Sequence, residues 1–292
     1  MNRSADRAYG LLVLLALASS AILMTLLGTL LARVDELFAR GTIDTADIVA
    51  VLVLVLAFGG IALGLGALFR QLFETVALIR TLLSHRIATP VALVALAREL
   101  DLGGRVDIVH DRRPFSFCYW FLRPRICLST GLVGRLDGEE LRAVLLHERY
   151  HLQHRDPLRL VIARYFAAGL YVVPVVEELV AYYTVQKEIA ADQDAVRTVG
   201  GVRALAAALY KVLPDADEFS LGLLAPVGSL SVTEARIDQL VDGRAVPLAL
   251  SRVGVILSGG ALAAAVILAL SQAGLQATVV PVTPLAALLS FV

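Results

Sequence analysis

Residues 8–32, AYGLLVLLALASSAILMTLLGTLLA, contain no charged side chain. Wound as an α-helix at 1.5 Å per residue, the run is about 37 Å long, enough to cross a hydrocarbon layer about 30 Å thick. It reads as a first transmembrane helix. A cleaved secretory signal is the rival reading, because Arg3 and Arg7 precede the run and Ala16 and Ala18 resemble a cleavage site. The apolar stretch continues well past the core of such a signal, which favours the span. A second uncharged run, 48–69, lies between Asp47 and Arg70, and a third begins after Arg252 and meets no charge before Val292. Within the third, 253–275 reads as a span and 276–292 as an apolar tail, since Pro281 and Pro284 interrupt any long helix.

Composition points the same way. Of the 292 residues 58% are hydrophobic and 18% charged, with a mean hydropathy of +0.76, more apolar surface than one soluble core can hide. Formal net charge is zero, so no basic surplus attracts phosphates and direct nucleic-acid binding is not expected. Cys118 and Cys127 make no C-x-x-C pair, which excludes a zinc ribbon and leaves any metal to other ligands.

Orientation follows from the basic residues, which stay on the cytoplasmic side. Arg3 and Arg7 flank span one, whereas 33–47 carries Asp35, Glu36, Asp44 and Asp47 against Arg33 and Arg40, and Arg70, Arg80 and Arg86 follow span two. The expectation is a cytoplasmic N-terminus over 1–7, an external loop over 33–47, a cytoplasmic domain over 70–213 with a connector over 214–252, and an external tail. An arginine-rich chain with lysine only at Lys187 and Lys211 hints at a GC-rich bacterial genome, hence a multi-pass protein of a bacterial cell membrane. In a reducing cytoplasm the two cysteines remain thiols. A short hairpin of Phe115–Leu122 and Arg125–Ser129 about Arg123-Pro124 would make them cross-strand neighbours.

The chemistry lies in the cytoplasmic stretch, at His147-Glu148-Arg149-Tyr150-His151 inside a helical run, Gly138–His154. Residues four apart share a helix face, so the two imidazoles converge on one ion, and Glu148 turns its carboxylate toward a water that the ion acidifies. Zinc with nitrogen and carboxylate ligands lowers the pKa of that water toward neutrality, and the carboxylate accepts its proton during attack on an amide. A third ligand is found at Glu188 in a second helical run over 175–199, and Asp192 one turn on can accept the remaining ring N–H of a ligand histidine. The bland reading of Glu188 and Asp192 is a solvated helix face beside Lys187. Against it, the chain passes Arg155-Asp156-Pro157, runs helically to about Val173, breaks at Pro174 and returns, bringing Glu188 back toward the histidines.

Taken in order, Phe115-Ser116-Phe117, Leu122-Arg123-Pro124-Arg125-Ile126, Glu139 to Glu148, Arg155-Asp156-Pro157 and Glu188 to Asp194 resemble the membrane zinc peptidases of the BlaR/MecR antirepressor type. The resemblance implies one zinc ion per chain on His147, His151 and Glu188, with Glu148 as general base. It also implies a gluzincin-like α+β core in which a strand near Arg125–Ser129 holds the substrate backbone. The expected fold is thus mainly α, three transmembrane helices with a cytoplasmic α+β zinc peptidase domain. Two departures stand out: Arg149 and Tyr150 replace the usual small or apolar residues, and 17 residues follow Leu275 where the best-known members carry a penicillin-binding sensor. No serine has a lysine three positions on, so no S-x-x-K acylation site is expected in this sequence.

Lesser signals have plain readings. His154 fits a helix end whose dipole favours it, and His85 and His110 read as surface residues. Leu158–Val180 is nearly apolar enough to span, but Arg159, Arg164, Glu177 and Glu178 argue for a segment that dips into the interface or lines a bundle. Gly60 and Gly64 permit close helix approach, at which a transmembrane partner or a second copy could dock. The function expected is hydrolysis of a protein or peptide substrate at the lipid bilayer, in regulatory proteolysis. The rivals are a quality-control protease like HtpX and a catalytically inactive scaffold, the latter having no need of Glu148.

Overall fold

A computed structural model describes residues 4–40, 45–212, 235–240, 243 and 246–279. It is mostly helical, with one small sheet. The apolar runs become three long helices, α1 (Ser4–Arg40), α2 (Thr45–Leu83) and α10 (Arg252–Val279). Segments long and apolar enough to cross a membrane are Ser4–Gly28, Val51–Leu83 and Arg252–Ser271. α1 continues to Arg40 through the expected external loop, and of the expected tail only 276–279 is described, as the end of α10. Leu12 packs with Leu250, Leu23 with Leu262, and Leu26 and Leu30 with Ala265, so α1 and α10 run in the same direction. At 39 residues α2 is about 58 Å long, far more than a bilayer needs. Arg70, Glu74 and Arg80 end its apolar character, but neither proline nor glycine interrupts it there.

That extension builds the sheet's surroundings. Four strands, β1 (Arg86–Ile87), β2 (Val106–Val109), β3 (Ser116–Tyr119) and β4 (Arg125–Ser129), lie in the order β1-β2-β4-β3, with only β2 and β4 parallel. Side chains alternate across it. Ile108, Ile126 and Leu128 join the main core with α3 (Val91–Glu99), α4 (Thr130–Arg135), α5 (Gly138–His154) and α8 (Arg203–Val212). Val109, Tyr119 and Cys127 face Ile79 and Leu82 at the end of α2. Cys127 pairs in register with Phe117, and Cys118 with Ile126. The cysteines are therefore one position out of register and on opposite faces, not the cross-strand neighbours expected. Burial pushes both thiols up, Cys127 to about 12, so neither offers a thiolate at neutral pH.

Three consecutive helices then carry the candidate site. Asp137 caps α5 by accepting from Glu140 N–H while Glu140 accepts from Asp137 N–H, both at 2.9 Å. α5 ends at Arg155, whose φ of 51° puts it in the left-handed region and lets Asp156-Pro157 open α6 (Asp156–Gly169) without a loop. α6 lies along α2. A Cβ on Gly60 would stand 2.5 Å from the Gly169 carbonyl oxygen, so the two backbones meet with no side chain between. The glycines expected to receive a partner helix are thus filled by α6 of the same chain. After the turn at Pro174, α7 (Val175–Val199) runs back between α1 and α5, its first N–H donating to Ser258 Oγ of α10 at 3.1 Å. A short helix α9 (235–240) follows. Residues 213–234 and 280–292, most of the expected connector and tail, lie outside the described residues.

Candidate metal centre

His147 and His151 sit on the inner face of α5, where Leu145, Leu146 and Leu152 anchor the helix in the core. Their Nε2 atoms are 3.0 Å apart, and Glu188 of α7 places Oε2 3.3 Å from the first and 3.6 Å from the second. These three side chains are 7%, 7% and 9% exposed. Each histidine meets a carboxylate at its other nitrogen. His151 Nδ1 lies 2.6 Å from Asp156 Oδ2, and His147 Nδ1 lies 2.8 Å from Asp192 Oδ1, in contact although not aligned as a hydrogen bond. A carboxylate at Nδ1 selects the Nδ1–H tautomer and leaves the Nε2 lone pair free.

Two neutral imidazole lone pairs and a carboxylate oxygen then face one another inside a few ångströms. That arrangement repels itself unless a cation lies between them. Without a metal, protons take that role. Burial opposes a charged His151, but Glu188 and Asp156 outweigh it and raise its pKa to about 10. Burial likewise opposes charge on His147, and Asp192 overcomes it to raise that pKa too. Glu188 is held well below the usual carboxylate range against burial, chiefly by Lys187 and then His151. Asp192 and Asp156 are lowered in the same sense, by Arg236 and by His151 respectively.

Glu148, 5% exposed, accepts from Ser116 Oγ at 2.7 Å through Oε1, while its Oε2 is buried with no partner among the described residues. An orphaned carboxylate oxygen beside a convergent His-His-Glu set is what a polar third body would satisfy. The donors suit a divalent metal of the zinc type, with two nitrogens and one oxygen leaving room for a further ligand.

The five residues singled out from sequence, His147, Glu148, His151, Glu188 and Asp192, therefore occupy one buried locus. Others in it had no assigned role. In sequence Asp156 has no role beyond the Arg155-Asp156-Pro157 motif, and it reaches His151 because Arg155 adopts a left-handed conformation that helix spacing does not reveal. Tyr183 OH donates to Asp156 Oδ1 at 3.2 Å. Lys187 Nζ is bonded to Glu188 Oε1, leaving Oε2 for the histidines. Arg236 of α9 grips Asp192 with Nε and Nη2, each at 2.7 Å. In sequence Ser116 stands only within the Phe115-Ser116-Phe117 motif, with no role, and Arg236 stands in no motif. His154 lies at the end of α5, its Nδ1 2.9 Å from the Tyr150 carbonyl and its ring stacked on Tyr150. His85 and His110 are exposed.

The strand implied to hold substrate needs correction. β4 is hydrogen-bonded on both sides, by β2 and β3, and has no free edge. The hairpin sends β3 to the outside of the sheet, so the edge nearest Glu148 belongs to Ser116–Tyr119.

Fold and site together define a membrane protein whose small sheet and helical hairpin gather a His-His-Glu cluster beside a second glutamate. The chain belongs to the family described as BlaR1 peptidase M56, which matches residues 33–237. It is also similar to a protein named Protease HtpX homolog from Methanothermobacter thermautotrophicus, with 30% identity over 112 residues, 30% of this chain and 43% of that one. A second Protease HtpX homolog, from Acidiphilium cryptum, is 33% identical over 69 residues, 23% of this chain and 24% of that one. The chain thus spans less than half the length of either curated relative. It is thus a member of a peptidase family with three helices long and apolar enough to cross a membrane.

Proposed function

We propose that the protein is an integral-membrane zinc endopeptidase of gluzincin type, with His147, His151 and Glu188 as metal ligands and Glu148 as general base. The observation that carries this reading is the convergence of three donor atoms, within 4.8 Å of one another, beside the unpartnered Oε2 of Glu148. Zinc held by those side chains would polarise a peptide carbonyl and lower the pKa of water toward neutrality. The protein's own residues do the rest. Asp156 and Asp192 hold the histidines in the tautomer that presents Nε2. Ser116 fixes Oε1 of Glu148, so that Oε2 takes a proton from the attacking water and delivers it to the departing amide nitrogen. The open edge of β3 is suited to pair with an extended substrate backbone alongside Ser116.

The domain's placement in the cytoplasm rests on the arginine bias around the spans. It is supported by the packing of Ala5, at the start of α1, against Tyr150, Ala190 and Ala191, which puts the cluster at the N-terminal end of span one. The role proposed is regulatory proteolysis of a protein at or near the membrane, after the family it belongs to. Similarity to the two proteins named Protease HtpX homolog favours a second reading, quality control of membrane proteins.

Purified protein is expected to bind about one zinc per chain, and Glu148→Gln to keep the metal while losing hydrolysis of labelled casein. His147→Ala with full occupancy, or a Gln variant as active as wild type, would overturn the assignment. Comparing membrane proteomes of cells producing wild-type and Glu148→Gln protein separates the two roles. Regulation predicts one or a few proteins cut at one site, and quality control predicts many fragments that increase under membrane stress.

A further inference from the structure

Arg236 reaches the cluster from α9, 44 residues beyond Asp192 in the sequence. Its guanidinium is planar, and two of its three nitrogens are committed: Nε and Nη2 clamp the two oxygens of Asp192 at 2.7 Å each. A bidentate pair of this kind fixes the plane as well as the position of the group. Nη1 is left on the side of the ligand set, 3.8 Å from Glu188 Oε2, too far for a hydrogen bond. Among the described residues no acceptor is assigned to Nη1. The same Glu188 oxygen lies 3.3 and 3.6 Å from the histidine nitrogens, so Nη1 stands within ion-pair reach of one of the three atoms that converge there. Lys187, beside the same cluster, is already bonded to Glu188 Oε1.

We propose that Arg236 is a catalytic residue, its Nη1 donating to the carbonyl oxygen of the scissile peptide as that oxygen becomes an oxyanion. The inference rests on the hydrolytic reading above. As the water oxygen bonds to the carbonyl carbon, the C=O π pair moves onto oxygen and the water proton passes to Glu148. Collapse restores the π bond, breaks C–N, and the amide nitrogen leaves as an amine carrying that proton. Between these events the oxygen bears a full charge beside Nη1. Arginine suits the task because it stays protonated and is held in place beforehand, so little reorganisation accompanies the charge. Asp192 then has two duties, touching His147 and aiming Arg236.

The test is a double-mutant cycle with metal content measured throughout, on full-length protein in detergent, with labelled casein as substrate and a phosphinic peptide as tetrahedral mimic. Arg236→Met is expected to lower kcat by about 100- to 1000-fold, as loss of an oxyanion donor does. KM should stay within about 3-fold, zinc should remain near wild-type stoichiometry, and affinity for the phosphinic peptide should fall in parallel with kcat/KM. Asp192→Asn alone should cost less, and adding Arg236→Met to it should cost at least a further 10-fold. If Arg236 acts only by holding Asp192, the second substitution adds nothing and the proposal is overturned. Arg236→Lys serves if the Met variant does not fold: it keeps a cation for Asp192 but loses the fork, and full activity in it would equally overturn the proposal. Failure here leaves the parent reading intact, since that stands or falls on zinc content and Glu148→Gln.

Discussion

His151 shows how a single side chain is tuned by neighbours from two directions. Asp156 at Nδ1 and Glu188 near Nε2 raise its pKa to about 10 against the effect of burial. In the metal-free protein the raised value means that protonated His151 adds stability fully below about 6.5, and that this is lost as pH rises through about 10. A metal must displace the same proton. Zinc affinity is therefore expected to rise with pH between 6 and 9, by about tenfold per unit for each proton displaced. Calorimetric titrations at three pH values check this, and a flat profile would mean that the histidines are not the ligands. Asp156→Asn and Asp192→Asn should each weaken zinc binding or activity by roughly 10- to 100-fold, the usual cost of removing a carboxylate behind a ligand histidine. An Asp156 variant equal to wild type would return that residue to a purely structural role.

At the scale of elements, the site depends on the α6–α7 hairpin, which joins the Asp156 end of α5 to Glu188. α6 is seated on α2 by backbone contact at Gly60 and Gly64, and α7 is tied to α10 through Ser258 and through Glu178, which accepts from the Ser251 N–H at 2.8 Å. Gly60→Val would push a side chain into the Gly169 carbonyl and force the hairpin away, at a cost of about 1–3 kcal/mol. Gly66→Val is the control, since nothing lies within 4 Å of a Cβ there. Thermal unfolding in detergent should show a lower midpoint for the first variant and little change for the second. Equal midpoints would show that the close approach of α2 and α6 does not hold the hairpin.

For the whole molecule, the parallel course of α1 and α10, with α2 between them in sequence, places the two ends of the bundle on opposite sides of any membrane it crosses. Combined with the arginine bias, the expected topology has the His147-His151-Glu188 cluster inside and Val292 outside. A reporter active only outside the cytoplasm should be silent when inserted at Gly201 and active when fused after Val292. The reverse pattern would overturn both the orientation and the expectation of a cytoplasmic substrate.

The apolar runs and the His-Glu-x-x-His spacing were legible in the sequence because each is set by local geometry, the length needed to cross lipid and the four-residue repeat of a helix face. Glu188 and Asp192 were reachable by one further step, a helix that turns back at Pro174. What no local rule revealed is whatever distant segments bring together. The one-residue register between β3 and β4 separated Cys118 from Cys127, and the strand order β1-β2-β4-β3 put β3, not β4, at the edge nearest Glu148. A left-handed Arg155 turned Asp156 onto His151, and Ser116 and Arg236 arrived from elements 32 and 44 residues from their partners. Gly60 and Gly64 announced a close helix contact, but only packing decided that the partner is α6 of the same chain, because small residues permit an approach without specifying what makes it.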